Sequence, residues 1–123
     1  MALFSDDFSA ASYDPDWTFV DNVGDCSRSL VGNGTADAHA RISVASGASH
    51  DAWTGGFDAP HITQTIADGD FSIQAKLQTV PSSNSQLIGI HAKEDNTKFV
   101  RFGFYFGGSF YDPRERHSLI FCR

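Results

Sequence analysis

Two runs constrain this chain more than anything else in it: residues 71–79, Phe71-Ser72-Ile73-Gln74-Ala75-Lys76-Leu77-Gln78-Thr79, and residues 98–106, Lys98-Phe99-Val100-Arg101-Phe102-Gly103-Phe104-Tyr105-Phe106. The first alternates apolar and polar residues one by one, which is the period of a half-buried antiparallel strand and not of a helix. The second places Val100, Phe102, Phe104 and Phe106 on one face and Phe99, Arg101, Gly103 and Tyr105 on the other. The first of these faces is expected to point inward. The other, mixed aromatic, basic and glycine, has the make-up of a binding surface.

The rest of the chain agrees with strands. No segment keeps an i, i+3, i+4, i+7 apolar pattern for three turns. Turn residues recur about every ten positions instead, at Asp14-Pro15, Gly24-Asp25, Gly32-Asn33-Gly34, Ser46-Gly47, Gly55-Gly56, Asp68-Gly69-Asp70, Pro81-Ser82-Ser83-Asn84, Asp95-Asn96 and Gly107-Gly108. That rhythm predicts an all-β antiparallel sandwich. Strands are expected near 3–8, 16–20, 27–31, 37–45, 61–66, 70–80, 85–93 and 98–106, with a further one at 117–122. Asp95-Asn96-Thr97 connects 85–93 to 98–106 as a hairpin. At 123 residues the chain reads as one domain, 1–123, in which 109–123 is an atypical tail carrying Arg114 and Arg116. Eleven Phe stand against three Tyr and two Trp, a balance that suits an aromatic core between sheets.

Composition excludes some partners. The formal charge is −6, and the acids gather early, at Asp6, Asp7, Asp14, Asp16, Asp21 and Asp25. Nucleic acid is not an expected partner, because phosphate neutralisation needs a concentrated cationic surface. No apolar run approaches the ~20 residues of a membrane helix. The first residues lack a basic, then apolar leader, so no signal peptide is expected in this chain. Cys26 and Cys122 sit far apart in sequence; a bridge between them would close a long loop, but nothing in their spacing demands one.

Candidate chemistry is sparse. Glu94 and Asp95 are neighbours and would face opposite ways in a strand, so the paired carboxylates of a glycosidase are missing, and no enzyme is expected. His50, His61 and His91 have no metal-ligand spacing. Asp6, Asp7 and Asp25 are hard oxygen donors in or beside loops and form a candidate calcium site, weighed against solvated acids at strand ends. Trp53 in a polar loop offers a flat face of the kind on which sugar rings stack, or an anchor capping the sandwich. Trp17 reads as core. Arg101 and Tyr105, with His91 and Gln86 on the neighbouring strand, make a polar and aromatic face for the same ligand class.

Phe4-Ser5-Asp6-Asp7-Phe8, Trp17-Thr18-Phe19-Val20-Asp21, Ser49-His50-Asp51-Ala52-Trp53-Thr54-Gly55, residues 70–77 and Gln86 to Phe102 follow one another in an order that resembles the concanavalin A-like jelly-roll domains, of the regulation-of-enolase-like (DUF1349-like) type. The resemblance runs from about residue 3 to residue 108. It implies a jelly-roll sandwich, an extracellular setting and an accessory role beside carbohydrate-active or adhesive modules, as an analogy of fold. It also implies strands beyond 106 that this chain is too short to supply. The expected function is therefore a non-catalytic, carbohydrate-binding module. The alternative is a structural or interaction domain without a small ligand. A shortened sandwich would expose apolar surface, so a homodimer is expected through residues 85–123, with Phe106, Phe110 or Tyr111 among its contacts.

Overall fold

The computed structural model describes residues 3–53, 56–78, 83 and 85–106, together with the backbone of Ser118 and Leu119. Phe110, Tyr111 and Cys122 lie outside them. The described residues contain no helix, and every strand pairing is antiparallel, so the fold is all-β. The chain divides into two compact units, Met1–Phe71 and Ser72–Arg123.

The first unit is built from short ribbons. Strand β1 (Thr18–Val20) pairs with β6 (His61–Thr63), β2 (Ser27–Val31) with β3 (His39–Ser43), and β4 (Ala52–Trp53) with β5 (Gly56–Phe57). The connection from β2 to β3 shows why its residues are where they are. Gly32 has φ of +72°, and a Cβ there would lie 2.8 Å from the Asp37 carbonyl oxygen, so the turn needs glycine on both counts. Thr35 closes it, donating from its N–H and its hydroxyl to Gly32 O at 2.9 and 2.6 Å.

Residues 3–8, expected as a strand, are not one. Asp6 and Asp7 each accept from the backbone two residues on, Asp6 Oδ1 from Phe8 N at 2.8 Å and Asp7 Oδ1 from Ser9 N at 3.0 Å. Such Asx turns compete with a strand ladder, and Phe8 is carried to a φ of 57°. Its ring then meets Trp17 (5.6 Å between centroids) and Tyr13 (6.3 Å), while Phe4 meets Trp17 from another side at 5.7 Å. Trp17 Nε1 donates to Asp6 Oδ2 at 2.9 Å, which gives the half-buried indole its polar partner. Arg28 lies 4.3 Å over the Tyr13 ring. The segment 3–8 is tied to the sheet side instead by Gln64, whose amide donates to Phe4 O and accepts from Phe4 N, both at 3.1 Å.

The second unit is a long hairpin. Strand β7 (Gln86–Lys93) pairs with β8 (Phe99–Phe106) over its whole length, from Gln86 opposite Phe106 to Lys93 opposite Phe99, and β9 (Ser118–Leu119) adds to β8. The connecting turn is organised by one carboxylate. Asp95 Oδ1 accepts from Thr97 N (2.7 Å), Thr97 Oγ1 (2.7 Å) and Lys98 N (2.9 Å).

Two expectations are corrected here, and two strands are added to those expected. Phe102 and Phe104 were expected inward, yet each is 41% exposed and Val100 is 46% exposed. The covered side of β8 carries Arg101, 5% exposed, and Gly103. Glycines 89 and 103 stand opposite each other in the ladder, and a Cβ on either would run into the backbone of the opposite strand. Secondly, residues 71–78 form no strand despite their alternation. They are exposed except for half-buried Leu77, and period-2 patterning yields a strand only where a partner edge exists to satisfy the backbone. The added strands are β4 and β5; at two residues each they are too short for any periodicity to register.

Candidate functional site

The ribbon of β4 and β5 positions Trp53. Ala52 pairs with Phe57 and Trp53 with Gly56. Successive residues alternate sides, so Ala52 and Phe57, each 5% exposed, point inward and Trp53, 42% exposed, points outward. Phe57 is held by an edge-on contact with the His61 ring, 4.8 Å between centroids at 86°. His61 is itself buried, with Nδ1 2.8 Å from Ala59 O. Asp51 O accepts from Asp58 N (2.6 Å) and Ala59 N (3.0 Å), and Asn22 Nδ2 donates to Phe57 O at 3.0 Å. The base of the Trp53 ribbon is thus fixed from both ends.

The face expected around Arg101 is rearranged. His91 sits opposite Arg101 and Leu87 opposite Tyr105, so these four share one side of the hairpin. Gln86 sits opposite Phe106 and therefore belongs to the other side, leaving the expected group by simple alternation. Arg101 is buried, while His91 and Tyr105 are half-buried. This side of β7–β8 is covered at Arg101 and Gly103 and exposed at Gly89, and Arg101 does not stand on an open surface.

The candidate calcium ligands part company as well. Asp6 is committed to Phe8 N and Trp17 Nε1, and Asp7 to Ser9, whose hydroxyl donates to it at 2.7 Å. That bond, and then the one from the Ser9 backbone, holds the Asp7 carboxyl below its ordinary range. Neither acid joins Asp25.

Asp25 instead meets two residues that spacing alone did not connect to it. His50 Nε2 donates to Asp25 Oδ1 at 2.6 Å, and Cys26 Sγ lies 3.3 Å from the same oxygen. Their three ligand atoms fall within 4.8 Å of one another, the one such group among the described residues. The imidazole of His50 is 9% exposed and the Asp25 side chain 31%. Asp21 shapes the loop that presents the pair, accepting from Gly24 N at 2.9 Å and Cys26 N at 2.7 Å. Hydrogen bonding to His50, and less so to Cys26, holds the Asp25 carboxyl below its ordinary range. Burial pushes the Cys26 thiol up, the Ala45 backbone opposes it in part, and the Asp25 and Asp21 carboxylates add smaller upward pushes. A thiol so raised is a poor nucleophile, and Asp25 rather than Cys26 takes the hydrogen bond of the imidazole; the arrangement is not that of a Cys–His catalytic pair. Cys26 is a free thiol. In the sequence Asp25 stands out as an oxygen donor, while His50 is set aside for want of metal-ligand spacing; the adjacency Asp25-Cys26 is visible, but its meeting with a histidine 25 positions away is a product of folding.

No family model matches this chain, and no curated protein or solved structure matches it significantly.

Proposed function

We propose that this chain is a non-catalytic binding module, built as a concanavalin A-like sandwich, whose ligand is a saccharide stacked on Trp53. The observation that carries the reading is the outward placement of Trp53 on a ribbon whose inward side chains are buried. A flat indole face on a braced backbone offers apolar contact at little entropic cost to a sugar's C–H-bearing face. The sequence resemblance to jelly-roll accessory domains points the same way and adds an extracellular setting. In the second unit His91 and Tyr105 remain candidates for contacts of their own, whereas Arg101 is buried and Gln86 lies on the other side of the hairpin from them.

The test is a glycan array probed with the full chain, followed by titration of each responding saccharide. Trp53→Ala should weaken binding at least tenfold, about 1.4 kcal/mol, with the melting temperature almost unchanged. An array without signal, or a large fall in melting temperature on substitution, would make Trp53 a packing residue and end the saccharide reading.

A second reading has its own observation. Val100, Phe102 and Phe104 are exposed on the same side of the hairpin as Ile88, Ile90 and Ala92. An apolar strip of this kind supports an interaction module that pairs with a second copy of itself, since a two-fold partner would cover both strips at once. Light scattering at low micromolar concentration separates the two: a dimer that Phe102→Ser dissociates favours self-association, and a monomer removes it.

A further inference from the structure

The cluster of Asp25, Cys26 and His50 brings together three donors of different chemical kinds, and its geometry can be set against that of a metal. A tetrahedral ion with metal–nitrogen and metal–oxygen bonds of about 2.0–2.1 Å and a metal–sulfur bond of about 2.3 Å holds its ligand atoms about 3.3–3.6 Å apart. Cys26 Sγ and Asp25 Oδ1 are already 3.3 Å apart. His50 Nε2 and Asp25 Oδ1, at 2.6 Å, widen by a fraction of an ångström as their hydrogen bond yields to a shared cation, and the third pair, His50 and Cys26, within 4.8 Å, closes by side-chain rotation to complete the triangle. The imidazole is nine-tenths covered, so little side-chain freedom is left to lose on binding, whereas Asp25 keeps an open side through which an ion and a water can enter.

We propose that Asp25, Cys26 and His50 form a mononuclear site for a borderline divalent transition ion of the zinc type, with water as the fourth ligand. Donor chemistry selects the class. Thiolate and imidazole are poor ligands for calcium or magnesium, which take oxygen, and good ones for zinc or cobalt. One sulfur, one nitrogen and one oxygen with a position left for water match an open site rather than the closed sites made of cysteines and histidines alone. On binding, the Cys26 thiol gives up its proton to solvent and sulfur bonds to the ion; His50 binds as a neutral imidazole with its one ring hydrogen on Nδ1, the Nε2 proton having moved there through solvent, so that the Nε2 lone pair takes the place of the bond to Asp25. No redox change is involved. The site stands on residues distinct from Trp53 and does not depend on the saccharide reading.

Cobalt(II) is the probe, because a cobalt–thiolate bond has a near-ultraviolet charge-transfer band that nitrogen and oxygen ligands do not produce. The full chain, reduced and stripped of metal, should bind one equivalent, develop that band, and lose it when zinc is added. Cys122→Ser should behave the same, which keeps the chain's second cysteine out of the assignment. Cys26→Ser should abolish the band, and His50→Ala and Asp25→Asn should each weaken cobalt binding at least tenfold. No band in the unsubstituted chain overturns the proposal and leaves a hydrogen-bonded trio. A band that survives Cys26→Ser and disappears in Cys122→Ser overturns it equally, by moving the thiolate elsewhere. Because the unsubstituted chain alone can give the negative answer, a variant that fails to fold does not shield the proposal.

Discussion

The two units hold themselves together in different ways. Among the described residues up to Phe71 no strand is longer than five residues, and the structure rests on side chains that reach the backbone: Asp6, Asp7, Asp21 and Gln64 each satisfy main-chain N–H groups that no ladder takes up. Beyond Ser72 two strands of eight residues carry a ladder in continuous register; Asp95 closes the turn between them, and along the strands the side chains decide which face is covered. In the first unit the polar side chains build the fold; in the second the backbone builds it and the side chains dress it. Substitutions of one kind should therefore have opposite consequences in the two halves. The halves can be followed separately: both tryptophans lie in the first, so indole fluorescence reports it, while hydrogen exchange of the β7–β8 amides reports the second.

The largest expected effect is on the hairpin face. Arg101→Ala should destabilise the second unit by about 2–4 kcal/mol, because it removes a buried stem and leaves a cavity. Phe102→Ala, at the adjacent but 41% exposed position, should cost about 1 kcal/mol or less. Exchange protection of the β7–β8 amides measures both. If Phe102→Ala proves the more damaging of the two, the covered face has been misassigned. Next in size is the glycine pair. A Cβ on Gly103 would overlap Ile88 O and lie 2.8 Å from Gly89 Cα, and neither backbone atom can turn aside. Gly103→Ala should thus loosen the same amides by about 1–3 kcal/mol and leave indole fluorescence alone.

How far these facts could be read in the sequence differs between the halves for the same reason. The pairing of 85–93 with 98–106 and the turn at Asp95-Asn96-Thr97 were legible, because eight residues of alternation define a register and Asp95 marks its turn. Which face is covered was not, since alternation separates two faces without saying what packs on either. Residues 71–78 alternate just as well and pair with nothing among the described residues. In the first unit, β2 at 27–31 and the glycine turn after it were legible from local chemistry. Asp6 and Asp7 were noticed as oxygen donors, yet their partners are backbone amides two residues away. His50 and Asp25 meet only through tertiary structure, and no spacing rule reaches across that distance.

A smaller effect sharpens the role of polar side chains in the first unit. Asp6→Ala removes the acceptor for both Trp17 Nε1 and Phe8 N. Leaving the indole N–H unmatched should cost about 1–3 kcal/mol and alter the tryptophan emission. Lys98→Ala is the counterpart in the second unit. Its ion pair with Glu94, 3.3 Å long, joins side chains that are 65% and 73% exposed, so its loss should fall below about 0.5 kcal/mol. An Asp6→Ala variant as indifferent as Lys98→Ala would erase the distinction drawn between the units.

The smallest effect is a pH dependence common to both halves. Asp95 is held below its ordinary value of 3.8, first by the Thr97 hydroxyl, then by the Thr97 and Lys98 amides and the Lys98 charge. Asp7 is lowered by the Ser9 hydroxyl and amide. A carboxyl whose pKa is lower folded than unfolded binds fewer protons in the native state, so it favours folding above the unfolded pKa and ceases to do so as pH falls through the folded one. These two groups therefore leave stability flat from about pH 7 to about pH 5 and withdraw their contribution below about pH 4. Both are fully exposed, so the acid limb they produce is shallow. Asp95→Asn should flatten it in the exchange of the β7–β8 amides while the indole signal keeps its slope, and Asp7→Asn should do the reverse. An acid limb in the amide exchange that persists unchanged in Asp95→Asn would mean that the turn carboxylate does not hold the hairpin, and that the ladder stands without its side chains altogether.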